Sequence, residues 1–157
     1  MSDPITREDL LAALEQERAT ILDLLPRFGD EQWSAVTRDD GWSVHDIATH
    51  LADSNYGLAL MILGEIPMAL QRDERTGWMN VDDLNAQRRQ KNADLPREKV
   101  MSRLTSSYEH ARRAIESVED YDAPSPLGES VPKRRWLQRI VRHNQEHRQD
   151  FAALLES

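Results

Sequence analysis

Gly41-Trp42-Ser43-Val44-His45-Asp46-Ile47-Ala48-Thr49-His50-Leu51 is the stretch from which the fold of this chain is read. Ser43 stands where a helix cap belongs, with Asp46 three residues on to complete it. Beyond the cap, Val44, Ile47, Leu51, Leu58 and Ile62 recur at helical spacing as one apolar stripe, which Gly64 and Pro67 bring to an end. At about 100° per residue, Leu51 falls near the centre of that stripe and His50 at its flank, beside Ser43, Ser54, Gly57 and Met61. A side chain there lines a cleft between two helices rather than filling a core.

The same period runs through three other segments. Thr6-Arg7-Glu8-Asp9 reads as a capping box with Asp9 in place of Glu or Gln. After it, Leu10, Leu11, Leu14, Ile21, Leu22, Leu24 and Leu25 predict a helix to about Phe28, broken by Gly29. From Arg97 to about Glu119 the periodic residues are Val100, Leu104, Tyr108, Ala111, Ile115 and Val118. From about Lys133 to Leu155 they are Trp136, Leu137, Ile140, Phe151, Leu154 and Leu155. Between these helices, Trp33 and Trp42 flank a polar connection and read as anchors packed on the helices. Residues 65 to 80 look irregular, with Gly77-Trp78-Met79-Asn80 as the exit, and Asn80-Val81-Asp82-Asp83 can start a shorter helix towards Asn92. Leu95-Pro96 interrupts it. Tyr121 to Pro132, with Pro124, Pro126, Gly128 and Pro132, reads as a surface loop. No segment reads as a strand. Four principal helices of these lengths predict an all-α chain folded as a four-helix bundle, in one domain over residues 1–157.

Composition narrows the classes of function. The chain has no cysteine, which removes disulfides, thiolate metal sites and a cysteine nucleophile. The start, Met1-Ser2-Asp3-Pro4, lacks the basic-then-apolar layout of a signal peptide. No apolar run approaches the roughly 18 residues needed to span a bilayer, so no membrane partner is expected. A cytoplasmic location fits all three observations. The net charge of −8 argues against nucleic acid as a partner, since a polyanion is held mainly by Lys and Arg. Lys133, Arg134, Arg135, Arg139, Arg142 and Arg148 crowd the last helix and read as a solvated face, or as a rim that attracts anions.

The chemistry rests on histidine. His143 and His147 are four residues apart, one turn of one helix. His147 falls inside the apolar stripe near Ile140 and Phe151, and His143 at its edge. A polar ring facing a core costs free energy unless its nitrogens find partners, and a metal ion supplies one partner to each ring. A single inward histidine is as readily explained by a carbonyl or a water. Two at helical spacing, with His50 beside a cleft on another helix, weaken that explanation without removing it. The H-x-x-x-H pair also lacks the following Glu of the metalloprotease motif, Asn144 standing there instead. Neutral imidazole suits zinc and nickel first, with iron or copper next and the harder manganese behind. Three protein nitrogens would leave positions open for water or a substrate, as catalytic sites do. Asp46 and Asp150 are the acids placed to orient the rings, although Asp46 is already explained as a cap. His45, in the first turn of its helix, is expected to face solvent, and His110 lies outside the inward stripe. No Gly-rich phosphate loop, serine elbow or paired-carboxylate spacing is present.

Trp42-Ser43-x-x-Asp46-x-x-x-His50-Leu51, with His143-x-x-x-His147 on the final helix, resembles the DinB/YfiT-like superfamily, which includes the N-terminal domain of mycothiol-dependent maleylpyruvate isomerases. The resemblance spans the chain in helix order and count. It implies an up-down-down-up four-helix bundle and a divalent metal held by His50, His143 and His147. It also implies helix faces that pair into a homodimer. For activity it implies a metal-dependent transferase that joins a low-molecular-weight thiol, such as bacillithiol or mycothiol, to a small electrophile. A small-molecule binding or sequestering protein, or a metal-dependent hydrolase or isomerase of the same fold, stands as the alternative. No segment like the C-terminal domain of the isomerases is expected here, which weighs against isomerase activity, and the histidine triad argues mildly against the branch that hydrolyses genotoxic cyclopropanes without one.

Overall fold

Thr6 opens the first helix, its hydroxyl accepting the Asp9 backbone N–H at 3.0 Å. The structure, a computed structural model, describes residues 6–68 and 81–156. Its helices are α1 (Arg7–Leu24), α2 (Asp30–Ala35), α3 (Val44–Ile62), α4 (Val81–Lys91), α5 (Arg97–Ser117) and α6 (Lys133–Glu156). The chain is all-α, as the periodicity predicts. The expected exit at Gly77-Trp78-Met79-Asn80 lies outside the described residues.

The long helices α1, α3, α5 and α6 carry the core. Their principal contacts run from α1 to α6, from α6 to α3, from α3 to α5 and from α5 back to α1. Helices α1 and α3, consecutive among the long ones, are therefore not principal neighbours, whereas α3 packs directly against α6. Leu10, Leu14, Ile21, Ile47, Leu51, Val100, Leu104, Ile115, Leu137, Ile140 and Phe151 bury their side chains in one shared cluster. Each such side chain removed from water contributes about 1.5–3 kcal/mol. Most residues of α3 are buried on more than one side, which makes it the central helix. Trp136 fills the core and donates its indole N–H to the Leu58 carbonyl at 2.9 Å.

Three local readings are corrected. The first helix stops at Leu24 rather than Phe28, because Pro26 brings no N–H to the α ladder and Leu25–Arg27 tightens into a 3-10 turn. Phe28 is extended and fully buried. The stretch 121–132 is not an irregular loop without strands: β1 (Pro124–Ser125) and β2 (Gly128–Pro132) pair as an antiparallel hairpin. Its prolines sit where a two-stranded ladder leaves the N–H side open, and Gly128 takes φ +105°, which side-chain-bearing residues rarely adopt. The third correction concerns His45. It is buried rather than solvent-facing, and its Nε2 lies 2.8 Å from the Leu95 carbonyl, tying the start of α3 to the approach to α5.

Most buried polar groups are paired, Trp33 Nε1 and His143 Nδ1 being the exceptions among the described residues. Glu17 on α1 is almost wholly buried and meets Arg148 of α6. Arg148 keeps a third of its side chain in solvent, so the pair is lopsided. Arg148→Met is expected to cost about 2 kcal/mol, below the 3–5 kcal/mol of a fully enclosed pair, because it strands the Glu17 carboxylate. Glu17→Gln should cost less, since Arg148 can turn to water. Urea midpoints of the two variants check the order.

Candidate metal centre

The site is assembled where α3 crosses α6. The capping box at Ser43 is complete, with the Asp46 N–H bonded to Ser43 Oγ at 3.1 Å and the Ser43 N–H to Asp46 Oδ2 at 3.0 Å. It fixes where α3 starts, and His50, seven residues on, faces α6. There the one-turn spacing of His143 and His147 puts both rings on the α3 side. His50 Nε2 lies 3.1 Å from His143 Nε2, and His147 Nε2 lies 3.0 Å from the same atom. The ring centroids are 4.4–5.2 Å apart and the planes nearly perpendicular. The structure thus brings together the three histidines that the sequence singles out.

These contacts cannot all be hydrogen bonds. His147 Nδ1 is 3.0 Å from Asp150 Oδ2, so its Nδ1–H donates to the carboxylate and its Nε2 presents a lone pair. His143 Nε2 faces two nitrogens but has one in-plane position, either a proton or a lone pair, and can satisfy one of them at most. A cation equidistant from the three satisfies all of them. Metal–nitrogen bonds of about 2.0–2.1 Å at angles between 90° and tetrahedral separate the nitrogens by about 2.9–3.4 Å, and both spacings from His143 Nε2 fall in that range. His143 Nδ1 is buried without a hydrogen-bond partner, so nothing outside the centre fixes the tautomer of that ring. The three-histidine group can hold a metal ion.

Electrostatics leave the rings in the ligating form. Burial, then the neighbouring His147 and the charges of Arg38 and Arg88, press His50 down from 6.5 to about 3. Burial, with His147 and His50, presses His143 to about 2. Burial also lowers His147, against the opposing pull of Asp150. At neutral pH all three are uncharged, and a cation would displace no proton from a lone pair already exposed.

Around the rings is an outer layer that periodicity alone does not reveal. Asp150 Oδ2 accepts from Arg38 at 2.8 Å as well as from His147, so Arg38 fixes the carboxylate that fixes the ring. Trp42 packs edge-on against His50 at 5.6 Å between centroids. Its faces carry the Arg38 and Arg89 guanidinium groups, 5.5 and 5.1 Å from the ring. Trp42 is therefore more than a loop anchor. Asp46, held by the cap and by Arg89 at 3.1 Å, is structural. His110 meets Tyr56, well away from the centre. Asp150→Asn should weaken metal binding about 10- to 100-fold, read by competition with a chromophoric chelator. Unchanged affinity would reduce Asp150 to a partner of Arg38.

A family model described as the DinB superfamily matches residues 13–151, a span that takes in all three histidines, Asp150 and Arg38. The chain belongs to the DinB superfamily. No curated protein and no solved structure gave a match. The DinB superfamily is metal-binding, in agreement with the convergence of three imidazoles in this member. Among the described residues no helix is long and apolar enough to cross a membrane.

Proposed function

We propose that this DinB-superfamily chain is a metal-dependent enzyme that transfers a low-molecular-weight thiol to small electrophiles, with His50, His143 and His147 as the ligands of a divalent ion. The observation that carries the reading is the meeting of three neutral Nε2 atoms at a cleft edge, with no fourth protein ligand among the described residues. Structural sites close their coordination with protein atoms, whereas a site with three leaves room for water or substrate. Zinc or nickel suits the donor set best, iron or manganese less well. A divalent cation bound there supplies Lewis-acid chemistry, lowering the pKa of a coordinated thiol or water and polarising an electrophile.

The chain's own residues do the rest. Asp150 holds His147 in the tautomer that offers Nε2. Trp42 covers one edge of His50 and keeps water from that flank. Arg38, whose charge reaches His50, favours the thiolate form of a nearby thiol.

The test is turnover. Metal-loaded protein, a panel of small thiols and monochlorobimane should yield a fluorescent thioether at a rate above the uncatalysed one. His50→Ala should reduce that rate to background. Stoichiometric thiol binding without turnover would point to a binding protein, and turnover that survives His50→Ala would place the chemistry elsewhere.

A further inference from the structure

Between α3 and α4 lies a narrow cleft whose walls include Trp42, His50, Asp53, Arg88, Arg89 and Asn92. Its enclosed free space is about 10 Å³, close to one water, so a larger group meets the partly exposed Arg88 at the mouth of the cleft rather than inside it. The polar groups along it are mostly engaged. Arg89 holds Asp46 and the Gly41 carbonyl, and Asp53 accepts from Asn92 at 3.1 Å. Arg88 differs. It is half-buried and near enough for its charge to act on both His50 and Asp53, yet its guanidinium makes no hydrogen bond or ion pair among the described residues. Half-buried Arg38, Arg97 and Arg148 each hold a carboxylate. A planar fork of five donors, partly taken out of water and left without an acceptor, is costly unless an oxyanion fills it.

We infer that Arg88 is the anchor of an anion subsite beside the three-histidine centre, and that it takes the carboxylate of a small thiol. The inference rests on the thiol-transfer reading and names the kind of thiol. A single carboxylate fits better than a phosphate on two counts. Asp46 and Asp53 line the cleft, so a dianion meets two like charges where a monoanion meets weaker repulsion. Geometry supports the planar group as well, since a carboxylate meets the guanidinium fork through two parallel hydrogen bonds.

The experiment uses the full chain loaded with cobalt(II). It is titrated with 3-mercaptopropionate and with 3-mercapto-1-propanol, which differ only at the carboxylate, and binding is followed in the cobalt absorption bands. The carboxylate thiol should bind about tenfold more tightly, the worth of one charge-assisted pair. Arg88→Gln should abolish that preference while cobalt content and mercaptopropanol affinity stay unchanged. Equal affinities in the wild type, or a preference that survives Arg88→Gln, would overturn the subsite. A second readout needs neither metal nor thiol: the Arg88 Nε–H resonance should shift with propionate and not with 1-propanol. If neither thiol perturbs the cobalt bands, the thiol-transfer reading falls and the propionate shift alone decides the subsite, its absence sinking it. A larger response to inorganic phosphate than to propionate would overturn the assignment to a carboxylate.

Discussion

His147→Ala lowers the divalent-metal content of the purified chain from about one equivalent to a trace, while the helical circular-dichroism signal is retained. The expected size follows from the donor count. Four-ligand zinc sites release about 10–16 kcal/mol, so each ligand is worth about 2.5–4 kcal/mol, and losing one of three weakens binding by about two to three orders of magnitude. His147 is the most informative of the three because Asp150 fixes its proton, so that Nε2 has no role other than as an acceptor or a ligand. Helicity should survive because the change removes one ring and its bond to Asp150 from a helix packed along its length, and alanine suits the middle of α6. Metal analysis of wild type and variant, prepared side by side, checks it. A wild-type content below about half an equivalent, indifferent to His147→Ala, would remove the premise on which the proposed chemistry stands.

The second large effect concerns stability. Asn144 is fully enclosed between the two α6 histidines. It accepts from the Tyr108 hydroxyl at 2.8 Å and donates to Asn55 Oδ1 at 2.8 Å and to the Ile140 carbonyl at 2.9 Å. Asn55 in turn donates to Ser107 Oγ at 3.2 Å, so the network joins α6 to both α3 and α5. Burial, aided by the Glu17 carboxylate, outweighs the opposing pull of Asn55 and Arg18 and raises the pKa of the Tyr108 hydroxyl, which stays protonated and donates to Asn144 Oδ1. Asn144→Leu strands that hydroxyl and the Asn55 amide oxygen in the core, at about 1–3 kcal/mol each. Thermal midpoints should fall by roughly 5–20 °C, at about 2–4 °C per kcal/mol for a chain of this size. Tyr108→Phe added to Asn144→Leu should cost less than the sum of the two single changes, because the hydroxyl that the first change orphaned is gone. Strict additivity in calorimetry would deny the coupling.

The long helices were legible because each carries enough apolar residues at one period to outvote its exceptions, and their buried positions fall where the stripes put them. The histidine triad was legible for a related reason. One turn of spacing forces His143 and His147 to the same side, and the flank position of His50 faces a neighbouring helix whichever neighbour that is. What escaped depends on contacts between segments distant in the chain. His45 looks exposed on its own helix and is covered only because Leu95 arrives from elsewhere. Asn144 resembles any polar residue on a helix until α3 and α5 supply its partners. Arg38, set in a polar connection rich in acids, gives no sign that it reaches Asp150 across the fold. The hairpin at 124–132 was hidden by its prolines, which argue against strands in the middle of a sheet but not at an edge.

The contact order around the core has a consequence for how the centre comes into being. His50 stands 93 positions before His143, and the helices that carry them touch across the bundle rather than along the chain. A nascent chain that has made α1, α3 and α5 owns a single one of the three imidazoles, which is a poor competitor for any ion in the cell. The remaining two come together on α6, so metal selection waits until that helix is synthesised and docked. Once loaded, the ion pins two distant points of the chain, as a disulfide would in a protein able to form one. Its loss would be felt first as an undocking of α6, the helix whose arrival completed the centre.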